Sequence, residues 1–266
     1  MTLVLPFPVF DPVAVEVGPI AIRWYALAYI AGIVLGWLLA RRLVARPALW
    51  HGREAPALKD VDDLVTWATL GVVIGGRLGS VLIYNFDYYL ANPLEALMVW
   101  QGGMAFHGGL LGVVVATLLF CRVKRLPPLA FFDVMAVIVP IGLFFGRIAN
   151  FVNAELWGRV SDVPWAMVFP GAGPEPRHPS QLYQAALEGL VLFAVMLIAV
   201  RLGALKRPGL CLGLFASGYG LARIAGEVFR EPDAQLGFLF GPVTMGMLLS
   251  VPMVLIGLGF VLSARR

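Results

Sequence analysis

FFDVMAVIVPIGLFFGRIANFVNAELWG, Phe131–Gly158, begins as an apolar run and ends in an arginine, asparagines and a glutamate. Its first part has the length to cross a membrane, since about 20 apolar residues of helix span a hydrocarbon core of about 30 Å. Its far end then sets Arg147 where such a helix should be finishing. On insertion scales an arginine costs roughly 2.5–3.5 kcal/mol at the bilayer centre, and less away from it. The fold has to supply both the crossing and a partner for the charge.

The rest of the chain repeats the first half of that pattern. Of its 266 residues 60% are hydrophobic and 14% charged, a balance that excludes an ordinary soluble domain and indicates an all-α integral membrane protein. Apolar windows over Ile20–Ala40, Leu64–Tyr84, Met104–Cys121, Phe131–Phe151, Gln181–Arg201, Cys211–Phe229 and Phe240–Ser263 predict seven transmembrane helices within one polytopic domain over 1–266. An odd number puts the two ends on opposite sides. Arg41, Arg42, Arg46, Arg53 and Lys59 follow the first window, Arg122, Lys124 and Arg125 the third, Arg201, Lys206 and Arg207 the fifth, and Arg265 and Arg266 the last. The positive-inside rule makes that side cytoplasmic, with the N-terminus outside and periplasmic and the C-terminus in the cytosol. The net charge of +4 thus reports topology, and no motif for nucleic acid accompanies it.

The N-terminus lacks the basic region of a cleavable signal peptide, so the first window is expected to stay in the mature protein. Residues 1–23 alternate Val13, Val15 and Val17 with polar or small neighbours before Gly18–Pro19, which predicts an outer-surface hairpin. Residues 150–180 are longer than a turn and predict a small periplasmic cap, with Pro179 at the first helical position of the fifth span. Cys121 and Cys211 fall at cytoplasmic ends without metal-ligand spacing, and the charges from Arg41 to Asp63 read as a solvated loop.

The other basic residues are all arginine: Arg23, Arg77, Arg147, Arg159, Arg177, Arg223 and Arg230. With the second, fourth and sixth spans running outward, Arg77, Arg147 and Arg223 reach the outer half, where Tyr25 and His107 also begin their spans. At about 100° per residue, Tyr219, Arg223, Glu227 and Arg230 form one stripe. Arg147 and Asn150 share a face, with Glu155 nearby if that helix persists, and Arg77, Ser80 and Tyr84 line up on the second span. Glu227 and Glu155 can pair with two arginines and leave positive charge over. One reading is an Arg223–Glu227 pair that merely assists insertion; the other is a pocket for a lipid phosphate, which guanidinium binds through paired charged donors. His107, in GGMAFHGGLLG, is either a packing residue or a titrating base. Gly32, Gly36, Gly71, Gly75 and Gly79 have the spacing of close helix packing. An outer-leaflet phospholipid-handling enzyme or transporter satisfies these observations.

GRIANFVNAELWG also resembles the signature of the prolipoprotein diacylglyceryl transferase family, Gly-Arg-x-(Gly/Ala)-Asn-Phe-apolar-Asn-x-Glu-x-x-Gly, at Gly146, Arg147, Ala149, Asn150, Phe151, Val152, Asn153, Glu155 and Gly158. IRWYALAY, GGMAFHGGLLG, HPSQLYQA and YGLARIAGEVFREPD are similar to further segments of that family, in the same order. The resemblance implies transfer of the diacylglyceryl group of phosphatidylglycerol to the lipobox cysteine of a prolipoprotein signal peptide. A thioether forms and glycerol phosphate leaves, at the periplasmic face of the bacterial inner membrane and within the lipid bilayer. The nucleophilic thiol then belongs to the substrate. Catalytic roles are expected for Arg147 and Arg223 at the phosphate and leaving group, and for His107 as base or thiol orienter. Substrate binding is expected from Tyr25, Asn150, Gly158 and Tyr219, with Arg77 and Arg230 extending the field and Glu155 and Glu227 fixing arginine geometry. No metal and no other cofactor is called for, because the arginines supply the positive charge. The alternative is a phospholipid flippase or transporter with an outer-leaflet headgroup site, although the inner half offers little polarity beyond Asp133.

Overall fold

The computed structural model describes residues 5–8, 10–11, 13–18, 20–232 and 237–264. Short strands β1 (Leu5–Pro6), β2 (Val13–Val17) and β3 (Ile20–Arg23) precede a bundle of α1 (Trp24–Val44), α2 (Leu58–Tyr84), the short α3 (Phe86–Ala91), α4 (Phe106–Lys124) and α5 (Pro128–Val152). Strand β4 (Met167–Val168) then leads into α6 (Ser180–Arg201), α7 (Leu210–Glu227) and α8 (Met245–Ser263). Six of these, α1, α2, α4, α5, α6 and α8, are long and apolar enough to cross a membrane. Their flanks stay open: Leu255, Ile256 and Leu262 of α8 are each at least 60% exposed, as befits side chains that face lipid. The chain is a mostly helical, multi-pass integral membrane protein.

The window expected over Cys211–Phe229 is helical as α7, 18 residues long, but Arg223 and Glu227 leave it less apolar than those six. Two other windows begin later than their hydrophobicity predicts. Ile20–Arg23 pairs antiparallel with β2, Val17 opposite Ile20 and Val13 opposite Arg23, so α1 waits until Trp24. Thr244 caps α8 by accepting from the Met247 N–H at 3.3 Å, so that helix starts five residues after Phe240. Gly18 turns the hairpin at φ +59, a conformation glycine tolerates freely. Positions 1–4, 9, 12 and 19 of the predicted hairpin, and Arg265 and Arg266, lie outside the described residues.

Backbone-close packing joins α2 to α4. A Cβ placed on Gly79 would sit 2.8 Å from the Gly108 Cα, and one on Gly71 would sit 2.6 Å from the Gly112 carbonyl oxygen, so no larger side chain fits this seam. Helix α5 runs through the middle, against α1, α6 and α7. The apolar core gathers at the end of the bundle where α5 begins, around Trp50, Val134, Val137, Met196 and Leu205.

That end also corrects the expectation of a solvated loop from Arg41 to Asp63. Trp50 is 2% exposed and donates to the Leu43 carbonyl at 3.0 Å, while Arg53 reaches fully buried Asp133 at 2.8 Å and the Leu205 carbonyl at 3.0 Å. Asp133 in turn accepts the Gly209 and Leu212 N–H groups at 2.8 and 3.0 Å, which serves the otherwise orphaned donors at the start of α7. Two helices and a loop therefore meet on one carboxylate. Asp133→Ala is expected to destabilise the protein by about 3–5 kcal/mol, because it strands a buried guanidinium and two helix donors. Thermal unfolding in detergent measures it, and Arg53→Ala on top of Asp133→Ala should add little.

Candidate functional site: an arginine cluster at the end of the bundle

At the opposite end, α5 stops at Val152, and the chain turns through left-handed Ala154 (φ 54) and Leu156 (φ 57). The turn folds Glu155 back over the helix it has just left. Its N–H donates to the Asn150 carbonyl at 3.0 Å, and its carboxylate accepts from the Asn150 amide at 2.8 Å. Asn150 also faces the Tyr25 hydroxyl at 3.4 Å, linking α5 to α1. The helix does not persist to Glu155, so that residue fixes Asn150 rather than an arginine.

The partner of Arg147 comes from elsewhere. Glu188, fully buried on α6, takes both Arg147 Nε and Nη2 on its Oε2 at 2.9 Å. Gly189 makes this possible: a Cβ there would lie 2.6 Å from the Phe144 Cβ, so only glycine lets α6 close on α5 one turn below Arg147. A π-helical segment, Ala185–Val191, surrounds the glutamate, and such wide turns redirect side chains within a helix. Glu188 Oε1 points the other way, 3.8 Å from Arg223 Nη1. That is a charge contact, too long for a hydrogen bond, and both atoms are buried without a hydrogen-bond partner.

On α7, Arg223 Nη2 bonds Glu227 Oε1 at 2.6 Å, and Arg230 Nη1 bonds the same oxygen at 3.1 Å. Thr244 donates to the other oxygen of Glu227 at 2.6 Å. Tyr219 lies close to Arg147, Arg223 and Glu188. Arg147 and Arg223 keep about 15% and 13% of their side chains accessible, whereas Glu188 behind them has none. The arginines therefore form the open face of the cluster and the carboxylates its floor.

The segment between α5 and α6 closes over this end. Arg159 donates to the Arg230 carbonyl at 3.0 Å and the Glu227 carbonyl at 3.1 Å, using free acceptors at the end of α7. Arg177 binds the Gly158 carbonyl and Glu231, each at 3.2 Å, and β4 pairs in parallel with β1. His178 packs on Tyr183 and Phe229, with burial pushing its imidazole below its ordinary value. Pro179 is the residue before α6 rather than its first helical position.

Two predicted members stand apart from the cluster. Arg77 is buried against the segment that follows α3: it donates to the Ala96 carbonyl at 2.8 Å and to the Glu95, Gly102 and Gly103 carbonyls, beneath the Tyr89 ring. Its donors are spent on backbone carbonyls, and no ion pair joins it to the cluster among the described residues. His107 is exposed at the start of α4, with Nδ1 3.4 Å from the Tyr84 hydroxyl and its ring edge-on to Phe106. No hydrogen bond or ion pair joins it to the cluster among the described residues.

Of the predicted set, Arg147, Arg223, Glu227, Arg230 and Tyr219 thus meet directly, and Asn150, Glu155 and Tyr25 form an adjoining chain. Glu188 was absent from the expected set. A helical wheel carries its signal, since Gln181, Gln184 and Glu188, at offsets 0, +3 and +7, share one face and are all fully buried.

A family model described as prolipoprotein diacylglyceryl transferase matches residues 12–263. The chain belongs to that family. Curated relatives named phosphatidylglycerol–prolipoprotein diacylglyceryl transferase include one from Methylocella silvestris, 60% identical over 266 residues that cover 100% of this chain and 98% of the relative. Another, from Beijerinckia indica, is 61% identical over 267 residues, 99% of this chain and 97% of its own. A third, from Nitrobacter hamburgensis, is 59% identical over 266 residues, 99% and 91% respectively.

Within this member of the prolipoprotein diacylglyceryl transferase family, Gly158 is a tight joint between the covering segment and the end of α7. Its N–H donates to the His178 carbonyl at 2.9 Å, and a Cβ would lie 2.5 Å from that oxygen and 2.6 Å from the Phe229 carbonyl oxygen. Gly158→Ala is expected to push the covering segment off the end of α7 and reduce activity by about tenfold or more, because misplacement of about 1 Å is costly in a preorganised site. Activity assays paired with hydrogen exchange at residues 158–178 check it.

Proposed function

We propose that this chain transfers the diacylglyceryl group of phosphatidylglycerol to the thiol of a prolipoprotein's lipobox cysteine. The reaction makes a thioether, releases glycerol phosphate, and takes place at the periplasmic face of the bacterial inner membrane. The observation that carries this reading is the meeting of Arg147, Arg223 and Arg230 around two buried carboxylates in a chain of this family. Guanidinium groups held in advance of reaction stabilise charge where it develops, here on the leaving phosphate oxygen.

In this reading α7 is a seventh span, with the N-terminus periplasmic and the C-terminus cytosolic. The two charged residues within it are tolerated because they pair with each other and with Glu188. Residues 1–23 form the outer-surface hairpin of one polytopic domain, and 150–180 its cap. Arg147 and Arg223 hold the phosphate; Arg230 and Tyr219 border it. Asn150, Tyr25 and Gly158 shape the entry for headgroup or signal peptide. His107, exposed beside Tyr84, serves the incoming thiol, which with a pKa of about 8.5 is only a few per cent thiolate near neutral pH.

The decisive assay combines purified protein, phosphatidylglycerol vesicles and a lipobox peptide. The expected product is peptide heavier by one diacylglyceryl group; lipid scrambling with unmodified peptide would point to a flippase instead. His107→Gln should retain phosphatidylglycerol binding while turnover at neutral pH falls by about 10²-fold, the usual scale of a lost general base, and unchanged turnover removes His107 from that role.

A further inference from the structure

The end of the bundle opposite the arginine cluster holds a cleft that takes no part in the site described above. It opens where the last turn of α6 meets the first turns of α7, has a volume of about 230 Å³, and is lined by Ala199, Leu202, Gly203, Arg207, Leu210 and Leu214. Its polarity runs in one direction. Gly203 and Arg207, in the loop between the two helices, form its outer end, whereas Ala199 on α6 and Leu214 on α7 lie about a turn further along the bundle. Lys206 joins Arg207 at the outer end: a Cβ on Gly203 would lie 3.3 Å from Lys206 Cδ and 3.8 Å from its Nζ, so the lysine side chain runs along the glycine wall.

These two cations stand without counter-ions. Among the described residues neither Lys206 nor Arg207 has a side-chain hydrogen bond or ion pair, whereas Arg41, Arg53 and Lys124 at the same end each have an aspartate. Ala199 to Phe215 contains no Asp or Glu. Asp133, which does reach the start of α7, is fully buried and already accepts from Arg53, Gly209 and Leu212. Basic residues beside a span ordinarily mark only the side on which a loop stays. That task needs no cleft, yet here the charges stand at the mouth of an apolar groove whose Leu202 is 83% exposed.

We infer that this cleft binds an anionic phospholipid from the leaflet at this end, the cytoplasmic one on the positive-inside reading. The headgroup phosphate lies against Lys206 and Arg207, and the first part of an acyl chain follows Leu202, Leu210 and Leu214. The two halves of the cleft select that occupant together. Free phosphate would meet the cations through charge-assisted bonds but leave the leucines uncovered, and a zwitterionic lipid would bring a cation of its own against them. The volume is below the roughly 300–1,000 Å³ of pockets that enclose a whole small ligand, which suits a lipid gripped at its head while its tails stay in the bilayer. Bound there, it bridges α6 to α7 from outside, beside the Asp133 bonds that hold the same corner from within. The inference goes beyond the transferase reading and does not depend on it.

The test uses purified full-length protein in nonionic detergent with three probes at equal concentration: short-chain phosphatidylserine, phosphatidylcholine and inorganic phosphate. Native mass spectrometry counts retained lipid, and thermal unfolding reads the stabilisation that binding to the folded state confers. Wild type should retain one more phosphatidylserine than Lys206→Gln/Arg207→Gln, in which affinity at this site should fall by about tenfold or more. Phosphatidylserine should also raise the unfolding temperature of wild type more than either other probe, and the advantage should shrink in the double variant. Ala199→Phe, which fills the groove and spares both cations, should lose the same lipid. Equal stabilisation by phosphate would make this a free-anion site, and equal stabilisation by phosphatidylcholine a plain apolar contact; either overturns the inference. So does full phosphatidylserine retention in the double variant, which would leave the two residues as markers of topology alone. Retention in Ala199→Phe beside loss in the double variant also overturns it, since attraction to the charged surface would then suffice. Should Ala199→Phe fail to fold, the double variant, altered only at exposed side chains, still decides the matter.

Discussion

A guanidinium inside an apolar bundle must be given partners, and the placement of those partners organises this molecule. The protein answers the demand in two ways. Arg147, Arg223 and Arg230 take carboxylates from α6 and α7, so their charge is balanced but still accessible from one side. Arg77 takes backbone carbonyls from the segment after α3, and its donors go to holding that segment in place. Equal chemistry thus gives a site in one location and a structural clasp in the other.

The same economy governs both ends of the bundle. Asp133 gathers Arg53 and the first donors of α7, while Glu227 gathers Arg223, Arg230 and Thr244 just past its last turn. Helix α7 is therefore tied by a carboxylate at each extremity. Its own composition is too polar for hydrocarbon to hold it alone, and the residues that weaken it as a membrane span are those that fasten it to its neighbours.

Much of the fold was legible because hydrophobic length is a one-dimensional property. Six helices fall close to where apolar runs predicted them, and shifts such as Trp24 for Ile20 arise where strand pairing or a threonine cap overrides hydropathy. The stripe Tyr219, Arg223, Glu227 and Arg230 was readable too, because successive members lie three or four residues, about one helical turn, apart. Glu188 was not readable in that way. Its relation to Arg147 spans 41 residues and depends on a glycine contact and a π-helical segment that hydropathy does not encode. The partners of Arg77 were hidden for the complementary reason: a place along a span says nothing about which loop folds over a side chain.

The seam between α2 and α4 carries a mechanical consequence. Where Gly71, Gly79, Gly108 and Gly112 bring the two backbones together, no rotamers lie between them to rearrange. Such a joint has no soft coordinate and cannot serve as a door. The pair forms one plate that bears His107 and Tyr84, and a two-tailed lipid reaching the arginine cluster would pass along the margins of that plate.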